Sequence, residues 1–86
     1  MKENEIIQVS DFLIGMRIDH EKTDNSILIN RDSICKCFVN AKGEQESYDN
    51  LIVSLNGAFN SRFVYVAKTD DWLMLDKLVD STHWMM

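Results

Sequence analysis

Cys35-x-Cys37, with His20 and His83, supplies four side chains able to ligate zinc. Structural zinc sites space their paired ligands by about two to four residues, on turns whose backbone wraps the ion. Here the pair is separated by one residue, inside a run that reads as a strand, and no second pair exists. Buried free cysteines behave as small hydrophobes, so core packing is the better account of both, and neither metal nor cofactor is expected. A nucleophilic cysteine needs a base or a cation beside it. On an extended segment Lys36 points away from both thiols, and nothing brings either histidine near them. Cα atoms two apart on a strand lie about 6.5–7 Å from each other, a poor geometry for a bridge. Two reduced thiols in a cytosolic protein are therefore expected.

Paired carboxylates stand at Asp70-Asp71 and at Glu44/Glu46. General acid/base work needs two carboxyls held across a cleft in differing environments. Helix capping accounts for the first pair and turn solubility for the second, so no catalytic role is expected. His20, flanked by Asp19 and Glu21, reads as a solvated loop residue. Gly15, Gly43 and Gly57 are isolated, and no phosphate-cradling loop can be drawn. Arg17, Arg31 and Arg62 are scattered among acids, which disfavours direct nucleic-acid binding.

What remains is charge. The net −5 lies almost wholly in the second half: from Glu44 onward seven carboxylates face three bases, against seven acids and six bases before it. Such a surface repels polyphosphates and favours basic partners. The candidate contact residues are the acids Glu44, Glu46, Asp49, Asp70, Asp71, Asp76 and Asp80, with Trp72 or Tyr65 as aromatic anchor.

The elements that must position these residues are those of one small domain spanning 1–86. The longest apolar run, Phe12 to Met16, is far short of the roughly 20 residues of a membrane span. The Met-Lys-Glu-Asn-Glu start does not read as a secretory signal. Ile6, Val9, Leu13 and Met16 recur at helical spacing, and Ser10-Asp11 reads as a cap, which predicts a helix at about 10–18. His20 to Asn25 reads as a loop. Ile27–Ile29 and Ile34–Val39, joined by Asn30-Arg31-Asp32-Ser33, read as an antiparallel hairpin. Ser47 reads as an N-cap to a helix whose stripe is Leu51, Ile52, Leu55 and Phe59, ending at Gly57. Phe63–Ala67 is the clearest strand. Thr69-Asp70-Asp71 reads as the cap of a last helix over 70–80, in competition with a hairpin between Phe63–Lys68 and Trp72–Asp76. The expected fold is α+β: a small antiparallel sheet of about three strands with two or three helices packed on one face.

In size, acidity and lack of catalytic residues the chain resembles the broad group of small inhibitors made by phages and mobile elements, anti-CRISPR proteins among them. That resemblance covers properties and no particular residues. It implies a non-enzymatic cytoplasmic binding protein, in a bacterial host if phage- or plasmid-encoded. Such a protein inhibits a nucleic-acid-handling partner by occupying its basic surface. An immunity protein or antitoxin is the alternative. A structural homodimer is another, since Trp84-Met85-Met86 is an apolar tail suited to an interface.

Overall fold

The computed structural model describes residues 1–78. The expectations placed on Asp80, His83 and Trp84-Met85-Met86 lie outside them. The described elements are α1 (Glu3–Gly15), β1 (His20–Lys22), β2 (Ile27–Asn30), α2 (Arg31–Cys37), α3 (Glu44–Phe59), β3 (Phe63–Lys68) and β4 (Trp72–Lys77). The architecture is α+β, with three helices and one antiparallel sheet of four strands in the order β1-β2-β4-β3. That is one strand more than the sequence predicts.

Alternation along the two central strands sets the layers. Ile27 and Ile29 of β2 and Leu73 and Leu75 of β4 are buried, with their neighbours in sequence only partly so. Side chains one residue apart on a strand leave opposite faces, so these four share a face with Phe63 of β3. The helices supply the rest of that core: Ile6, Val9 and Leu13 from α1, Ile34 from α2, and Tyr48, Leu51 and Leu55 from α3. The apolar stripes read from α1 and α3 therefore face the sheet, and all three helices lie on one side of it. Phe59 stacks edge-on against Phe12 and Phe63, joining α3 to α1 and β3.

Several boundaries differ from expectation, each for a local reason. α1 begins at Glu3, a full two turns before the predicted start, and Ser10 is a buried mid-helix residue instead of a cap. It ends where Arg17 takes the left-handed conformation (φ 60), beyond Gly15. The predicted loop at His20–Asn25 contains β1, paired with β2 from His20↔Ile29 to Lys22↔Ile27. The predicted second strand at Ile34–Val39 is instead the helix α2 with its exit. Asn30 ends β2 and caps that helix in the same stroke, its Oδ1 accepting from Ser33 N–H at 2.9 Å. Cys35 and Cys37 therefore lie on a helix, where neighbours two apart diverge. α3 starts at Glu44, one turn ahead of Ser47, and runs through Gly57 to a left-handed Asn60 (φ 50). The last helix predicted over 70–80 is absent within its described part. Trp72–Lys77 is strand β4, hairpin-paired with β3, as the competing reading has it. Thr69 serves as the hairpin's clasp: its N–H donates to Trp72 O at 2.8 Å and its Oγ1 accepts from Trp72 N–H at 3.1 Å.

Leu75, fully buried at the middle of β4, makes a direct test of this layering. Leu75→Ala is expected to cost about 2–5 kcal/mol in urea unfolding, whereas Val53→Ala, on the outer surface of α3, should stay within about 0.5 kcal/mol. The acid limb offers another. Glu5 accepts from Lys77 Nζ at 2.7 Å and from Lys2 N–H at 3.1 Å, and these bonds, Lys77 foremost, hold its carboxyl below the usual 4.5. A lowered folded value contributes stability that is present above the unfolded value and fades as pH falls through the folded one. Urea midpoints from pH 6 down to pH 2 should therefore decline less steeply in Glu5→Gln than in the parent.

Candidate functional site

The strands leave a second face. Cross-strand partners share a face, so the register groups Glu21, Leu28 and Met74 in one row, Asn30 with Trp72, and Val64 with Asp76. Leu28, Val64, Trp72 and Met74 are all half-buried, and none belongs to the core or packs against it. Among the described residues no element covers them. Ala67 joins Met74 on this face past a bulge at Tyr65/Ala67. The result is an apolar strip with an indole at one end. The charged residues in register on this face are both acids, Glu21 at the β1 edge and Asp76 toward the far end of β4. Asp70 and Asp71, exposed in the β3–β4 turn, stand at the Trp72 end.

One arginine organises that end of the molecule. Arg31 follows β2 directly as the first residue of α2, and its backbone N–H donates to Asp71 O at 2.9 Å. Its guanidinium donates from Nε to the Tyr48 hydroxyl at 3.0 Å, from Nη1 to Thr69 O at 2.7 Å, and from Nη2 to Glu44 Oε2 at 3.3 Å. The same group lies 5.6 Å from the Tyr48 ring centroid. The Tyr48 hydroxyl comes first, with Glu44 and Asp70 adding to it, in holding the guanidinium above its ordinary value. The start of α3, the start of α2 and the β3–β4 turn are thus tied together, with Asp32, Glu44 and Asp70 around a common cleft.

The predicted contact residues divide accordingly. Glu44, through its carboxylate, and Asp70, through its backbone oxygen at 3.4 Å, meet at Arg31, and Asp71 and Trp72 follow along the hairpin. Glu46 and Asp49 lie exposed on the first turns of α3, where Glu46 accepts from Lys42 N–H and Asp49 from Gln45 Nε2 at 2.9 Å. Asp76 belongs to the far end of β4, where it accepts from the Met1 ammonium nitrogen at 3.0 Å. Tyr65 lies on the helix side with its hydroxyl donating to Tyr48 O at 2.8 Å. Burial, then the Asp49 carboxylate and Tyr48, push its phenol well above the ordinary value. It is a structural tyrosine bridging β3 and α3, poorly placed to anchor a partner. The sequence reading did not single out Leu28, Val64, Met74, Arg31 or Asp32. A signal was there for the first three: Ile27-Leu28-Ile29, Phe63-Val64-Tyr65-Val66-Ala67 and Trp72-Leu73-Met74-Leu75 are apolar at every position, and an unbroken apolar strand has two apolar faces.

The groups with catalytic potential sit elsewhere. Ser10 Oγ lies 2.6 Å from His20 Nε2, and His20 Nδ1 lies 2.9 Å from Ile18 O. A carbonyl only accepts, so Nδ1 carries the proton, and in the neutral ring Nε2 accepts from the serine hydroxyl. Ser10 is 3% exposed, so the pair pins α1 to β1 beneath the surface. Cys35 lines the acidic cleft and Cys37 a separate hollow, both as free thiols. No group of three or more His, Cys, Asp or Glu among the described residues is arranged to hold a metal ion.

Fold and surface together define a two-layer α+β domain whose sheet keeps one apolar, acid-edged face free of any described layer. No protein-family model matches the chain, and neither does any curated protein or solved structure.

If Arg31 is the joint, replacing it should loosen the turn it holds. Arg31→Met is expected to lower the thermal midpoint by roughly 5 °C and to speed amide exchange at 69–71. Arg31→Lys should recover little of either, because an ammonium cannot reach three separated acceptors in a plane.

Proposed function

We propose that this protein is a non-enzymatic binding protein that docks a basic partner on the open face of its sheet and so inhibits or sequesters it. The observation carrying this reading is the strip Leu28, Val64, Trp72 and Met74, half-buried and unlayered among the described residues, with Glu21, Asp70, Asp71 and Asp76 at its margins. An apolar centre with an aromatic anchor and a charged rim is the anatomy of a protein interface. The sign of the rim selects the partner. Acids at the margin and a net −5 favour a protein whose own surface is basic, as in proteins that handle nucleic acid. The Trp72 ring supplies the contact area, and the acids steer the approach. This keeps the class anticipated from size and acidity, a small inhibitor of the kind made by phages against host defence. No described helix is long and apolar enough to cross a membrane.

The test starts with capture from host lysate along a salt gradient and continues with the purified partner. Trp72→Ala is expected to weaken binding about 30-fold, the loss of a central aromatic anchor of about 2 kcal/mol. Asp70→Lys with Asp71→Lys should slow association and flatten its salt dependence, leaving dissociation less changed. A partner held equally well by both variants would remove this face from the interface, and a partner with an acidic surface would remove the charge argument.

A further inference from the structure

The sheet sorts its charges by face. His20, Lys22, Lys68 and Lys77 stand in register with the core residues Ile29, Ile27, Leu73 and Phe63, so every base of the described strands belongs to the helix side. Two of them meet α1 directly: His20 Nε2 lies 2.6 Å from Ser10 Oγ, and Lys77 Nζ donates to Glu5 at 2.7 Å. The acids of those strands, Glu21 and Asp76, fall in register with the open side. Asp76 is matched by the Met1 ammonium nitrogen at 3.0 Å. Glu21, Asp70 and Asp71 make no ion pair among the described residues. Unmatched acids thus border the apolar strip on its β1 side and at its Trp72 end.

The footprint of the strip selects the shape of what covers it. Leu28, Met74 and Ala67 sit on three adjacent strands, so at a strand spacing of about 4.8 Å the strip is about 10 Å wide. From Trp72 to the row of Val64 and Asp76 it runs about 13 Å along β4. A facing sheet needs apolar residues across its whole width, and β1 offers Glu21 instead. One helix with its side chains is about 10 Å across, and about nine of its residues span the length. The strip is as wide as a helix and too narrow for a sheet.

We propose that the open face receives an amphipathic helix of the basic partner, laid along β4 as a third layer. Its apolar stripe packs on Leu28, Val64, Trp72 and Met74. Bases beside that stripe lie over Glu21 on one flank and over Asp70 and Asp71 at the Trp72 end. An acidic helix would meet carboxylates on both approaches, and an uncharged one would desolvate them with nothing in return. The inference rests on the proposed docking of a basic protein and adds to it the kind of segment that docks.

The probe is a synthetic peptide of about 18 residues, with leucine at i, i+3, i+4 and i+7 spacing and lysine and arginine elsewhere. It is titrated into the ¹⁵N-labelled full chain, with amide shifts and far-UV circular dichroism read together. Saturable shifts at Leu28, Val64, Trp72 and Met74 are expected, with a gain in helical signal. The same stripe carried on glutamate should bind about tenfold more weakly. Trp72→Ala should weaken the basic peptide about tenfold and Glu21→Lys, at an exposed position, about threefold. Lys68→Gln, on the helix side, should leave it unchanged, and a thermal melt of each variant separates lost contacts from lost fold. Shifts confined to other surfaces, equal binding of the glutamate peptide, or binding without a helical gain would overturn the inference. Contacts between Trp84 and Met74 in the free chain would give the face to the chain's own tail and overturn it as well. So would a dimer in sedimentation with these amides at its contact, which gives the face to a second copy. If the peptide fails while the purified partner still loses affinity to Trp72→Ala, the docking face stands and the helix falls. If the peptide meets every expectation while the partner ignores Trp72→Ala, the helix site stands and the docking of that partner falls.

Discussion

Alternation in β2 and β4 is the constraint from which the rest follows. Ile27, Ile29, Leu73 and Leu75 need an apolar layer, and the chain has three helices to supply it. All three are drawn to that one face. A domain of this size buries a limited share of its surface, and a second layer would need more chain than the described residues contain. The other face then carries Leu28, Val64, Trp72 and Met74, half-buried and covered by no element among the described residues. Each could have been polar at no cost to the covered core, because strand neighbours project to opposite sides. That choice is what the proposed docking face would explain.

Arg31 converts that layered fold into a surface with a defined end. Because Asn30 closes β2 and caps α2 at once, no loop separates sheet from helix, and the arginine emerges at the end of a central strand, bonded to both α3 and the β3–β4 turn. Its bonds to backbone carbonyl, phenol and carboxylate fix three elements that are far apart in sequence. The consequence is electrostatic as much as mechanical. Glu44 and Asp70, 26 residues apart by number, become neighbours around one cation, and the acids close to them remain exposed.

How much of this could be read beforehand follows from which signals are local. The inward faces of α1 and α3 were legible because Ile6, Val9 and Leu13, and Leu51, Leu55 and Phe59, repeat over about two turns. Phe63–Lys68 was legible from its β-branched and aromatic run. Asn30-Arg31-Asp32-Ser33 misled because a β-turn and a helix N-cap use the same residue types, and only the partner of the Asn30 carboxamide tells them apart. Trp72–Lys77 misled because six residues are too few to separate a period of 2 from one of 3.6, and the first-turn acids of a helix look the same as the polar tip of a hairpin. The grouping of the acids was not legible at all. It depends on Arg31 reaching the hairpin turn, a contact that spans 38 residues.

Charge and apolar area then play separate parts, and their placement says how a complex would form. Exposed carboxylates interact weakly through water and salt, each worth a fraction of a kcal/mol, so they bias the approach of a basic surface without holding it. Trp72 and Met74 act only at contact, when water leaves the strip. Asp70 and Asp71 stand directly beside Trp72, so in the proposed complex the charges that bias the approach adjoin the indole that makes contact. Asp76 stands apart from them at the far end of β4, 3.0 Å from the Met1 ammonium nitrogen. The exposed acids of the proposed docking face thus gather at the hairpin turn and the start of α3, close to the indole.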